Sequence, residues 1–158
     1  MRLILIAAIG KNNELGRDNR LIWHIKEDMD YFRNVTSNHN ILMGKNTFLS
    51  LPKKLPNRHH IIISRTLETN EDVEIFRSID EFLEKYSGCE EDIYVIGGAS
   101  IYKEFLPLVD IMHLTEIDES FEADVFFPEF NHEEYDREEL SSFETPYKYK
   151  HVLYKKMS

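Results

Sequence analysis

The sequence predicts one α/β domain over residues 1–158: a central mixed, mostly parallel sheet of about eight strands, about four flanking helices, and antiparallel C-terminal strands. Three observations carry this. Short continuous apolar runs at residues 2–9, 40–43, 59–64 and 92–96 read as strands covered on both faces. Stretches of helical periodicity stand between them. Residues 147–154 mostly alternate, which suits antiparallel strands with one wet face.

Residues 10–23, rich in Asn, Gly and charge, read as a long surface loop, and long ordered loops are often functional lids. A helix is expected from about Ile25 to Thr36, with Ile25, Met29, Phe32 and Thr36 on one face and Glu27 and Asp30 toward water. Gly44 stops the second strand, and residues 45–50 give one or two helical turns. Pro52 and Pro56 make residues 51–58 irregular. In the third strand His59 and His60 must face opposite sides, which argues against a shared metal. A short strand at 73–76 precedes a capping box, Ser78 with Glu81, and a helix to about Tyr86. The strand at 92–96 closes on Gly97-Gly98, a helix runs from about Ala99 to Leu106 and stops at Pro107, and residues 111–117 form another strand.

A single cysteine, Cys89, excludes a disulfide framework and a multi-cysteine metal site, and it suits a reducing, cytoplasmic setting. No apolar run has the ~20 residues of a membrane span. The apolar start reads as a buried strand rather than a leader. The net charge of −10 argues against nucleic acid as a partner. The charge is uneven: residues 1–65 carry +6 and residues 66–158 carry −16. The first part is therefore the better receiver of an anionic ligand, although folding can mix the two. The acidic segment 129–144 reads as solvated surface.

Asp28 sits beside Phe32, on the edge of the apolar stripe of its helix. One reading is a first-turn acid favoured by the helix dipole and still partly wet. The other is a carboxylate that binds or protonates a ligand in an apolar pocket. Two strand-to-helix junctions, Met43-Gly44-Lys45-Asn46-Thr47 and Ile96-Gly97-Gly98-Ala99-Ser100, place glycine and free N–H groups at the carboxyl ends of strands, where anions and cofactors bind. Neither is a P-loop or a three-glycine dinucleotide fingerprint. Lys45, Ser64, Arg65 and Arg77 follow directly on strands and could grip a phosphate, while Arg58 could hold a carboxylate. Each is also readable as surface charge. No nucleophile elbow and no zinc spacing appears, so no metal is expected.

Taken in order, Ile6-Ala7-Ala8, Leu15-Gly16, Trp23, Glu27-Asp28-Met29, Phe32, Thr36, Met43 to Phe48, Leu55 to Arg58, Ser64-Arg65, Ile96 to Tyr102, Leu114-Thr115 and Phe127-Pro128 resemble the bacterial dihydrofolate reductase family. The resemblance runs from about Leu3 to Pro128 and rests on joint order and spacing. It implies hydride transfer from NADPH to C6 of dihydrofolate, with a proton reaching N5. By the same resemblance Asp28 is the one ionisable group in the pterin slot, helped by Thr115 through water. Ile6, Ala8, Met29, Phe32, Leu51, Leu55 and Ile96 would line the substrate, and Arg58 would pair with its glutamate tail. Lys45, Ser64, Arg65 and Arg77 would surround the 2′-phosphate. Gly44, Asn46, Thr47, Gly97, Gly98, Ala99, Ser100 and Ile101 would form the rest of the cofactor cradle. Ala8, Ile96 and Tyr102 would flank the nicotinamide, and Leu15, Gly16, Leu21 and Trp23 would belong to the loop that closes over it. Catalytic roles fall to Asp28, Trp23, Leu21 and Tyr102. The family pattern also implies a cis Gly97–Gly98 peptide and a monomer.

The chain departs from the pattern at Ile22, Ile25 and Lys26, where the family usually has Pro, Leu and Pro. Loss of two prolines is expected to alter closure of the loop rather than the reaction type. The rival readings are a ribosylamino-pyrimidine reductase, which Asp28, Phe32 and Arg58 argue against, and a non-catalytic pterin or dinucleotide binder.

Overall fold

The computed structural model describes every residue except 18, 19, 22–24, 52, 70, 71 and 158, and only the backbone of 17, 20 and 21. Its main sheet has eight strands: β1 (Arg2–Ile9), β4 (Asn40–Gly44), β5 (His59–Ile63), β6 (Glu74–Phe76), β7 (Asp92–Gly97), β8 (Ile111–Ile117), β10 (Tyr135–Phe143) and β11 (Tyr149–Lys156). The order across it is β10-β11-β8-β1-β7-β4-β5-β6. All pairings from β8 to β6 are parallel, and β11 and β10 are antiparallel.

The alternation within β1 shows how the sheet takes two covers. Leu3, Leu5 and Ile9 enter one core cluster, while Ile4 and Ile6 enter the other. The first is capped by α3 (Ile79–Tyr86) and α4 (Ala99–Phe105) through Phe82, Ile101 and Phe105. The second is covered by α1 (Lys26–Thr36) and α2 (Lys45–Ser50) through Phe32, Val35 and Phe48. Because both faces are covered, β1, β4 and β7 read as unbroken apolar runs rather than alternating ones.

Local chemistry sets the helix boundaries. Ser78 Oγ accepts from the Glu81 N–H, as a capping box requires, but Glu81 returns its bond to the N–H of Arg77, one residue earlier than usual. Helix α4 does not end on Pro107; it tightens into a 3₁₀ turn at Leu106–Leu108 that holds the proline. His59 is exposed and His60 buried, as their opposite phases require.

Two segments differ from expectation. The region read as an open loop carries β2 (Glu14–Arg17) and β3 (Arg20–Leu21), which join β9 (Val125–Phe126) in a second, three-stranded sheet. Its strands are too short to show a period. It is tied down by Glu14, 1% exposed, whose carboxylate accepts from the Asn12 N–H, Ser120 Oγ and the Phe121 N–H. The acidic segment is mostly exposed, as expected, but it carries a strand that the sequence reading did not place: most of it is the edge strand β10, irregular between Glu139 and Ser141. There Arg137 and Lys150 both donate to Glu139.

Candidate active site

Parallel strands leave their carboxyl ends on one edge, and the register decides what meets there. Ala8 pairs with Thr115 and Met43 with Gly97. The second pairing brings the two glycine junctions together, and each packs on the other's helix. A Cβ on Gly44 would lie 3.1 Å from Ile101 Cγ1, and one on Gly97 would lie 3.3 Å from Thr47 Oγ1. Gly97 has φ +134°, open to glycine alone at low cost, and the Gly97–Gly98 peptide is cis. Neither Gly44 nor Gly98 caps its helix with a side chain, so the first N–H groups of α2 and α4 are offered outward at this edge. The bare glycine surface and these donors fit a dinucleotide pyrophosphate.

Beyond the junctions, Ser64 and the next turn form a compact cationic corner. Ser64 Oγ accepts from the N–H groups of Thr66 and Leu67. Arg77 NH1 braces the turn by donating to the carbonyls of Ser64 and Leu67. Lys45 Nζ reaches Thr66 Oγ1 at 3.1 Å. Arg65 is exposed and has no ion pair among the described residues. All four expected phosphate ligands are thus in one place. Ser64 and Arg77 NH1 build the turn, and Lys45, Arg65 and the remaining Arg77 N–H groups are the donors to spare.

The slot lies on the other side of β1. Ile25 precedes α1 with no side-chain cap, and Asp28 occupies the third helical position, where a carboxylate meets the free N–H groups. Its side chain is 19% exposed. Thr115 Oγ1 donates directly to Asp28 Oδ1 at 2.5 Å. Phe32, Leu51, Leu55 and Ile96 are half-buried against the cluster that contains Ile6, so they form an apolar wall. Met29 is 46% exposed, and none of the core clusters includes it.

Arg58 is fixed at the far end of the wall. Its Nε donates to Thr36 Oγ1, NH1 to the Pro56 carbonyl and NH2 to the Arg33 carbonyl. Burial, then the neighbouring Arg33, lowers its pKa. Three of five N–H donors are used, which leaves two for a carboxylate.

Other expected residues have different placements. Tyr102 does not reach into the slot. It is buried, its hydroxyl donates to the Ile6 carbonyl at 2.8 Å, and burial raises its pKa so that it stays protonated. Leu15 turns its side chain into the main core, so only its backbone and that of Gly16 remain near the closing segment. Asn46 and Ser100 are exposed at the junctions, and Ala99 is half-buried. Trp23 and Ile22 lie outside the described residues, as does the side chain of Leu21.

Sequence reasoning missed His151. This residue is 3% exposed, and its Nε2 lies 3.1 Å from the same Asp28 oxygen that Thr115 uses. Asp28 therefore has an ionisable neighbour of its own. The available signal was a histidine on a buried strand phase, between Tyr149 and Leu153.

A dinucleotide cradle beside a slot with a carboxylate floor defines a nicotinamide-dependent reductase of the α/β class. A sequence model described as dihydrofolate reductase matches residues 2–156. The dihydrofolate reductase of Bacillus subtilis is 35% identical over 156 residues, covering 96% of this chain and 92% of that protein. That of Haemophilus influenzae is 36% identical, covering 87% and 86%. The structure of dihydrofolate reductase from Enterococcus faecalis, complexed with NADP(H) and a propyl-bearing ligand, superposes with a TM-score of 0.90 at 26% identity, over 99% of this chain and 97% of that one. The chain belongs to the dihydrofolate reductase family. It reduces 7,8-dihydrofolate to 5,6,7,8-tetrahydrofolate, and its cofactor is NADPH.

Proposed function

We propose that Asp28 and Arg58 hold the two ends of dihydrofolate, and that the rest of the site orients the substrate against NADPH. The observation that carries this is the spacing on α1. Asp28, Phe32 and Thr36 follow at four-residue steps on one helix face, about 12 Å from first to last. Thr115 grips the first and Arg58 the last. A carboxylate, an apolar wall and a guanidinium in that order match a pterin amidine, an aromatic linker and a carboxylate tail.

When bound, NADPH supplies the hydride for C6. The protein's own residues position and exclude water. Asp28 Oδ1 is taken by Thr115 and His151, so Oδ2 is the oxygen left for the pterin amino group and ring nitrogen. Its charge polarises the ring and favours a proton at N5, delivered through water. Ile6, Ala8, Leu51, Leu55 and Ile96 line the rings, with Met29 at the rim. Gly44, Asn46, Thr47 and the segment Gly97 to Ile101 hold the pyrophosphate. Lys45 and Arg65 engage the 2′-phosphate on the turn that Ser64 and Arg77 shape. Tyr102 supports Ile6 and Gly97 from beneath. Leu15, Gly16, Leu21 and Trp23 form the closing segment over the nicotinamide.

The chain is read as a single-domain monomer of the cytoplasm with no nucleic-acid partner. The net charge of −10 and the lone cysteine support this. No helix among the described residues is long and apolar enough to cross a membrane.

The test uses a substrate without its tail. With wild-type protein, dihydropteroate should show a KM at least tenfold above that of dihydrofolate. Arg58→Leu should erase the difference and leave the KM for NADPH unchanged. A tail preference that survives Arg58→Leu would refute the assignment.

A further inference from the structure

The reading of Asp28 leaves one buried titratable group unused. His151 of β11 lies behind the slot, on the side away from the substrate wall. Its Nε2 is 3.1 Å from Asp28 Oδ1, and its Nδ1 is 3.0 Å from Ser141 Oγ on β10. Tyr31 of α1 stacks on its ring at 3.8 Å and 11°, and Phe143 and Tyr149 meet it edge-on at 5.4 and 5.8 Å. The ring is thus fixed in plane and rotation. A recess of about 390 Å³ opens to it from solvent, walled by Glu27, Asp30 and Asn34 on α1 and by Ser141 and Phe143 on β10.

We propose that His151 is a positioning residue for the reduction: it donates Nε2–H to Asp28 Oδ1 from behind and fixes the rotation of the Asp28 carboxylate. The inference rests on Asp28 being the pterin-binding carboxylate. An imidazole that shares an oxygen with Thr115 leaves Oδ2 directed at the ligand. In this arrangement Nδ1 accepts from Ser141 Oγ, so the ring proton stands on Nε2 and points at Asp28. Tyr31, itself hydrogen-bonded to His113 of β8, packs on the ring face and holds that direction.

Two measurements test this. The first is single-turnover hydride transfer at pH 7. His151→Gln, which keeps a donor near Asp28, should stay within about threefold of wild type, and His151→Phe, which removes it, should fall about tenfold in kcat with little change in the KM for NADPH. Equal rates for His151→Gln and His151→Phe would overturn the proposal. The second is the NMR signal of the His151 Nε2 nitrogen, which needs no activity. Asp28→Asn should shift it, and an unmoved signal would overturn the pairing. If Asp28→Asn itself retains normal turnover, the pterin reading fails as well, so the two failures are distinguishable.

Discussion

Arg58 Nε donates to Thr36 Oγ1 at 2.9 Å, and that hydroxyl donates in turn to the Phe32 carbonyl at 2.8 Å. Thr36 is fully buried, so the guanidinium is anchored to the end of α1 rather than held by a surface charge. Thr36→Val keeps the shape and removes the acceptor. Leaving a charged donor unpaired costs about 1–3 kcal/mol. The KM for dihydrofolate should rise severalfold, with kcat and the KM for NADPH unchanged. Steady-state titration of both substrates checks this.

Gly97 approaches Thr47 closely, whereas a Cβ on Gly98 would meet the same hydroxyl at an ordinary 3.5 Å. Gly97→Ala would place a methyl 3.3 Å from Thr47 Oγ1 at φ +134°. Backbone strain of this kind costs about 1–3 kcal/mol. The variant should melt several degrees lower and bind NADPH at least tenfold more weakly. Gly88→Ala, where a Cβ meets nothing within 4 Å, is the control and should change neither. Calorimetry with fluorescence titration of NADPH decides.

Glu74 marks the acid limit of the fold. Burial pushes its pKa up, but hydrogen bonds from His59, Lys85 and Tyr86 outweigh this and bring it down to about 2, from an ordinary 4.5. A carboxylate with a lowered folded pKa adds stability above its unfolded pKa and loses it as pH falls through the folded value. The loss should therefore fall between pH 4.5 and 2, and after solvent screening amount to on the order of 1 kcal/mol. Denaturant titrations should show a shallower acid limb for Glu74→Gln in that window. At neutral pH the variant should keep full turnover, since Glu74 lies outside the site.

These residues also show what the sequence made legible. The parallel core was readable because strands covered on both faces are continuously apolar, as at Leu3, Leu5 and Ile6. The glycine junctions were readable because Gly44 and Gly97 end strands and open helices. The second sheet was not: β3 has two residues, and β9, the other partner of β2, is more than a hundred positions away from it. The same distance hid His151. It reaches Asp28 across 123 positions, through a strand register that no local period encodes. The Thr115 contact came only from the resemblance, and its direct geometry came from the pairing of Ala8 with Thr115.

The central claim is that the Asp28 carboxylate floors the pterin slot and drives the reduction. Asp28→Asn keeps the size of the side chain and an acceptor for Thr115 while removing the charge. The direct measurement is single-turnover hydride transfer at pH 7 with dihydrofolate and NADPH both saturating. The rate should fall at least 100-fold, about 2.7 kcal/mol of transition-state stabilisation, with NADPH affinity unchanged. A rate within threefold of wild type would contradict the account.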